Sequence, residues 1–145
     1  MKNFGLDFAE DSVIDKMKLD VECEVLPAKY YFYASALAEA KAEQDTAKDN
    51  LTATQARRDL FYRMNPPDGL KATEAVFTSL VDDDREVQAA QDALRVATAK
   101  VGALYASVNT MELQKDMLGA LVKLSISQYY ASGEVSDESR SRLNK

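Results

Sequence analysis

Histidine and tryptophan are absent from these 145 residues, and cysteine occurs once, at Cys23. Without histidine the chain cannot build Ser-His-Asp or Cys-His catalysis, and it lacks the commonest zinc and haem ligand. One thiol permits no internal disulfide and no CxxC site. Cys23 has no histidine or basic cluster beside it, so it does not read as a nucleophile. Proline (3) and glycine (5) are scarce, which argues against a many-turned all-β fold. There is no P-loop and no GxGxxG, so nucleotide binding has no local support. No uncharged apolar run approaches ~18 residues, the length that spans a membrane. The opening MKNFGLDFAEDS lacks the apolar core of a signal peptide. The residues therefore point to no enzyme, no metal site and no cofactor. A lone thiol without a leader fits a reducing cytoplasm.

What is present is helical. Apolar residues make up 46% and charged residues 29%, the balance of a foldable, soluble chain of one domain. Residues 1–26 set Lys2, Lys16 and Lys18 against seven carboxylates and read as an acidic N-terminal arm. SVIDKMKLDVECEVL within it suits a short helix capped by Asp11 or Ser12. Pro27 fits the first turn of a new helix, where its missing N–H costs nothing. Strong helix formers dominate from Ala28 to Met64, and Asn65-Pro66-Pro67-Asp68-Gly69 stops them. A short helix is expected at 73–81. Asp82-Asp83-Asp84 then supplies N-cap candidates for a helix from Arg85 to about 131. A divalent cation at these aspartates is the weaker reading, because consecutive carboxylates converge poorly without a turn.

Stepping by three and four from Val87 gives Ala90, Leu94, Ala97, Val101, Leu104, Val108, Met111, Lys115, Leu118, Val122, Ser125 and Tyr129. All but Lys115 and Ser125 are apolar or aromatic. A 3.5-residue period held this long is a coiled-coil seam. The same step on the first helix gives a smaller, partly polar seam: Tyr30, Tyr33, Leu37, Ala40, Gln44, Ala47, Leu51, Thr54, Arg58 and Phe61. The expected fold is all-α: two long helices (28–64 and 85–131) as an antiparallel coiled-coil hairpin. A connector at 65–84 joins them, with the short arm at 1–26, hairpin residues spanning 27–133 and a polar flexible tail at 134–145. Gly133 is the expected C-terminal cap.

Further apolar residues beside the second seam, among them Tyr105, Leu113, Met117, Leu121 and Ile126, widen its stripe beyond what one partner helix covers. A homo-oligomer is therefore expected. Its interface is assigned to Leu104, Met111, Leu118, Leu121, Val122 and Tyr129.

Lysine and arginine (18) fall short of aspartate and glutamate (24), for a net charge of −6. Such a chain has no overall attraction to DNA or an anionic membrane, so a nucleic-acid role needs a local patch. Ala56-Arg57-Arg58-Asp59-Leu60-Phe61-Tyr62-Arg63 is one. Guanidinium pairs with phosphate and aromatic faces stack on bases, which makes Arg57, Arg58, Arg63, Phe61 and Tyr62 candidates for single-strand contact. The structural alternative pairs these arginines with Asp59 or the acidic connector and packs Phe61 in the seam. Tyr30-Tyr31-Phe32-Tyr33 points all round a helix and suits packing between helices or subunits better than a stacking platform.

The order of these elements resembles the UvsY-like recombination mediator proteins of tailed phages. It is carried by Lys18-Leu19-Asp20, Pro27-Ala28-Lys29-Tyr30-Tyr31, Ala56-Arg57-Arg58-Asp59 and Leu113-Gln114-Lys115-Asp116-Met117-Leu118, across roughly Asp15 to Gly133. The resemblance implies a helical, ring-forming homo-oligomer without a catalytic site. Such a protein binds single-stranded DNA and helps a RecA-like recombinase displace the single-strand-binding protein, in the host cell cytoplasm. The family's basic K-A-R-x-D core maps its arginine to Arg57 and its aspartate to Asp59. Gln55 stands where the lysine belongs, and Arg58 adds a positive charge beside it. The acidic balance is a second departure. The alternative from another class is a non-enzymatic coiled-coil adaptor or phage assembly scaffold.

Overall fold

The computed structural model describes residues 7–69 and 73–127. Four helices follow in order: α1 (Phe8–Asp11), α2 (Leu19–Met64), α3 (Glu74–Asp82) and α4 (Arg85–Ile126), with no strand among the described residues. The described residues are all-α, and the two long helices pack against each other. It splits into two compact units, Leu37–Ala103 and the combination of Met1–Ala36 with Leu104–Lys145. Tyr129, Gly133 and the tail at 134–145 lie outside the described residues.

α2 corrects one expectation. The helix begins at Leu19 and carries Pro27 in its interior, so the arm ends earlier than residue 26. An interior proline removes the hydrogen bond to the Cys23 carbonyl and costs about 3 kcal/mol. The seam offsets this by continuing upstream: Leu19, Glu22, Leu26, Lys29 and Tyr33 recur at helical spacing and are all at least half-buried. Asp20 and Glu22 in the first turn complement the helix dipole. The far end behaves as expected. α2 stops at Met64 before the Pro-Pro pair, and Gly69 takes a φ of 82°, a left-handed value that favours glycine.

In the unit Leu37–Ala103, α2 and α4 run antiparallel. Lys100 reaches Glu43, Gln44 reaches Thr98, Arg57 reaches Glu86 and Arg58 reaches Asp84, so partners descend as the α2 number climbs. The buried seam is small-sided, with Leu37, Ala40 and Thr54 on α2 and Val87 and Ala90 on α4. α3 adds Phe77 and Val81 to the core, and its start is capped by the Thr73 hydroxyl accepting from the Val76 amide at 3.4 Å.

The other described unit holds α1, the start of α2 and the end of α4. Its core is Tyr33, Leu104, Val108, Met111 and Leu118. The described part of the arm, from Asp7, packs against it. α1 precedes the run expected to be helical; Asp7 is its N-cap and Ser12 its C-cap. The expected short helix capped by Asp11 or Ser12 does not form: the helical part of SVIDKMKLDVECEVL starts only at Leu19, as the beginning of α2. Phe8 meets the Tyr33 ring edge-on at 6.0 Å. The Tyr33 hydroxyl donates to Asp11 Oδ2 at 2.7 Å, while Lys29 Nζ and Gln114 Nε2 donate to the Asp11 carbonyl at 3.0 and 3.3 Å. Burial, then the hydrogen bond and charge of Asp11 and the charge of Asp7, push the Tyr33 phenol well above its ordinary value. Gln114, not Lys115, therefore occupies the seam between Met111 and Leu118; Lys115 is exposed, as is Ser125. The aromatic run fans out as its helical phase requires: Tyr33 is buried and Tyr31 is 74% exposed.

Met111 is 1% exposed, whereas Met64 at the end of α2 is 73% exposed. Met111→Ala is expected to lose about 2–5 kcal/mol, and Met64→Ala to stay within about 0.5 kcal/mol of the parent, both read by urea unfolding.

Candidate functional site

The last two turns of α2 carry the basic strip, and helical phase divides it among three faces. Arg58 and Tyr62, one turn apart, face α4. Arg57 and Phe61 sit beside them on a more exposed face. Asp59 and Arg63, also one turn apart, turn toward α3. Phe61 is 46% exposed, so the expectation of Phe61 in the seam is corrected; Tyr62 takes that place.

Asp84 organises the Arg58 face. Its carboxylate is 6% exposed. Oδ2 accepts from Arg58 Nε at 2.7 Å and from the Tyr62 hydroxyl at 2.8 Å, with Arg58 Nη2 at 2.6 Å. Oδ1 accepts from the Glu86 amide at 2.8 Å, which makes Asp84 the N-cap of α4. Asp82 ends α3 and Asp83 is its C-cap, so the three aspartates divide between two helix ends. Burial pushes the Asp84 carboxyl up. The hydrogen bonds from Tyr62, the Glu86 amide and Arg58, together with the Arg58 charge, outweigh it and hold the group below its ordinary value. The Arg58 guanidinium in turn lies 4.5 Å from the Phe61 ring centroid and 5.3 Å from that of Tyr62, within cation–π range.

The outer arginines have outer partners. Arg57 Nη2 meets Glu86 Oε2 at 2.5 Å. Arg63 donates from Nε to Asp59 at 2.7 Å, and from Nη1 and Nη2 to the two Glu74 oxygens at 2.9 and 2.6 Å, a bidentate fork. Its guanidinium also sits 5.2 Å from the Phe77 ring. Hydrogen bonding and the charge of Arg63 hold the Glu74 carboxyl below its ordinary value. Each of the three arginines is therefore ion-paired within the chain.

Arg57, Arg58, Phe61, Tyr62 and Arg63 share the last two turns of α2 but divide among three of its faces. Glu74, Phe77 and the central role of Asp84 were not foreseen individually. The available signal was charge: a basic segment at 53–63 precedes an acidic one at 72–94 across one connector. Of the residues assigned to a subunit contact, Leu104, Met111 and Leu118 are buried within the single chain, and Leu121 and Val122 are half-buried. No protein-family model, curated protein or solved structure matches this chain.

The folded value of the Asp84 carboxyl is depressed, so its contribution is full above the unfolded carboxylate value of about 3.9 and is lost as pH falls through the folded value. Asp84→Asn is expected to cost about 2–3 kcal/mol at neutral pH. The gap between parent and variant in thermal melts should hold down to about pH 5 and close below about pH 4.

Proposed function

We propose that this chain is a non-catalytic, self-assembling single-strand DNA-binding protein acting as a recombination mediator. In this reading it helps a RecA-like recombinase load onto DNA covered by single-strand-binding protein, in the cytoplasm of a phage-infected host. The observation that carries the reading is the alternation of guanidinium and aromatic ring at the end of α2. Arg58 lies against Phe61 and Tyr62, Arg57 is exposed beside them, and Phe61 is itself exposed. Cations for phosphate and π-faces for bases are what a single strand requires. The resemblance in element order supports the same reading. No described helix is long and apolar enough to cross a membrane.

Assembly supplies what one protomer lacks. Two or three arginines hold a phosphate chain weakly in salt. Copies repeated along one strand add avidity without new contacts. α4 leaves Val96, Tyr105, Leu113, Met117 and Ile126 exposed, and these are the residues we assign to contacts between copies.

A coiled-coil adaptor or assembly scaffold is the second reading. It is favoured by the ion pairing of all three arginines, which lowers the positive field of the strip.

Salt titration of oligo-dT binding, with native mass spectrometry alongside, separates the two. The mediator reading expects an oligomer whose affinity falls steeply with salt. It also expects Arg57→Ala with Arg63→Ala to weaken binding at least tenfold and to flatten the salt slope, by about 0.7 for each phosphate no longer neutralised. A monomer that ignores oligo-dT at low salt leaves the adaptor.

A further inference from the structure

The three arginines are not held alike. Arg58 is 21% exposed and bound to a buried carboxylate that also caps a helix and takes a tyrosine hydroxyl. Releasing it would strand the Asp84 charge in the interior. Arg57 and Arg63 pair with Glu86 and Glu74, whose side chains are 54% and 78% exposed. Pairs this open are screened by salt and worth little. Arg63 would also keep its shape without Glu74, because Asp59 holds Nε and the Phe77 ring lies under the guanidinium. The edge that Glu74 occupies is the Nη1–Nη2 pair, and two parallel N–H groups fit a phosphate as well as a carboxylate.

We infer that Arg63 and Arg57 are two phosphate positions that Glu74 and Glu86 occupy in the free protein, so that the strand binds by replacing its own internal competitors. This rests on the single-strand reading above. The exchange needs rotation of two exposed glutamate side chains, and Glu86 also gives up a longer contact, 3.9 Å, with Arg58 Nη1. α3 stays packed through Phe77 and Val81, and Arg58 stays on Asp84. The two glutamates then set the affinity: they keep the strip closed to weak or single-charged anions and yield to a chain of phosphates. Apparent affinity falls by the fraction of protein whose sites are open, so removing the competitors raises it.

The test compares Glu74→Gln with Glu86→Gln, as a double variant, against Glu43→Gln with Asp92→Asn. The second pair removes the same charge from exposed carboxylates that pair with Lys100 and Arg95. The probe is oligo-dT binding by fluorescence anisotropy at one fixed salt concentration, with melting temperature confirming that each variant is folded. The Glu74/Glu86 variant is expected to bind roughly tenfold tighter than the parent, and the control pair within about twofold of it. Adding Arg63→Ala to Glu74→Gln should erase the gain that Glu74→Gln gives alone. A parent that binds, with both double variants equally affected, overturns the competitor role and leaves the single-strand reading intact. Failure of parent and variants alike to bind removes both.

Discussion

A carboxylate with almost no access to water holds the basic end of this molecule in shape. Asp84 takes Arg58 and Tyr62 from the end of α2 on one oxygen and the second amide of α4 on the other. Only a short acidic side chain at a helix start can do both, because it bends back to its own backbone while its second oxygen stays free. The consequence for the surface is specific. With Arg58 fixed, Phe61 is held under a guanidinium and turned outward, and Arg57 and Arg63 are left to weaker, wetter partners. The strip thus has a rigid centre flanked by exchangeable cations.

The second constraint is area. A pair of helices covers one stripe on each, and the seams of α2 and α4 carry small side chains at Ala40, Ala47, Ala90 and Ala97. In the unit containing α1, the arm adds cover. A single helical turn cannot persist alone. It is held by the Asp11 carboxylate and carbonyl, which between them receive Tyr33, Lys29 and Gln114. Even so, α4 keeps a set of large apolar side chains in solvent. That surplus is the physical basis for expecting copies to associate, and it lies beside the intrachain seam, not on it.

Much of the fold was legible in the residues. The α4 seam from Val87 to Leu118, the Pro-Pro stop, the Thr73 start of α3 and the aspartate cap of α4 all follow from periodicity and capping chemistry. The misplacements have physical causes. A strict 3.5-residue step ends the first seam on Phe61, whereas seven turns at 3.6 from Leu37 arrive at Tyr62. Pro27 reads as a helix start because proline is tolerated there, but continuing burial on both sides of it carries the helix through. Lys115 has the right spacing for the seam, yet Gln114 has the amide that the Asp11 carbonyl accepts, a long-range contact no local pattern contains. At the basic strip, opposite charges on neighbouring segments suggested pairing. Which carboxylate meets which arginine depended on the packing of α3, and so did the distinction between a buried pair and two open ones.

Arginine side-chain NMR reads that distinction most directly. With the guanidinium Nε–H signals assigned, oligo-dT is added to the full chain. The Arg57 and Arg63 signals should move progressively while the Arg58 signal stays in place and slow to exchange with water. Movement of Arg58 together with the other two would contradict a fixed centre flanked by exchangeable cations, and three unmoved signals would contradict any strand contact at this end of α2.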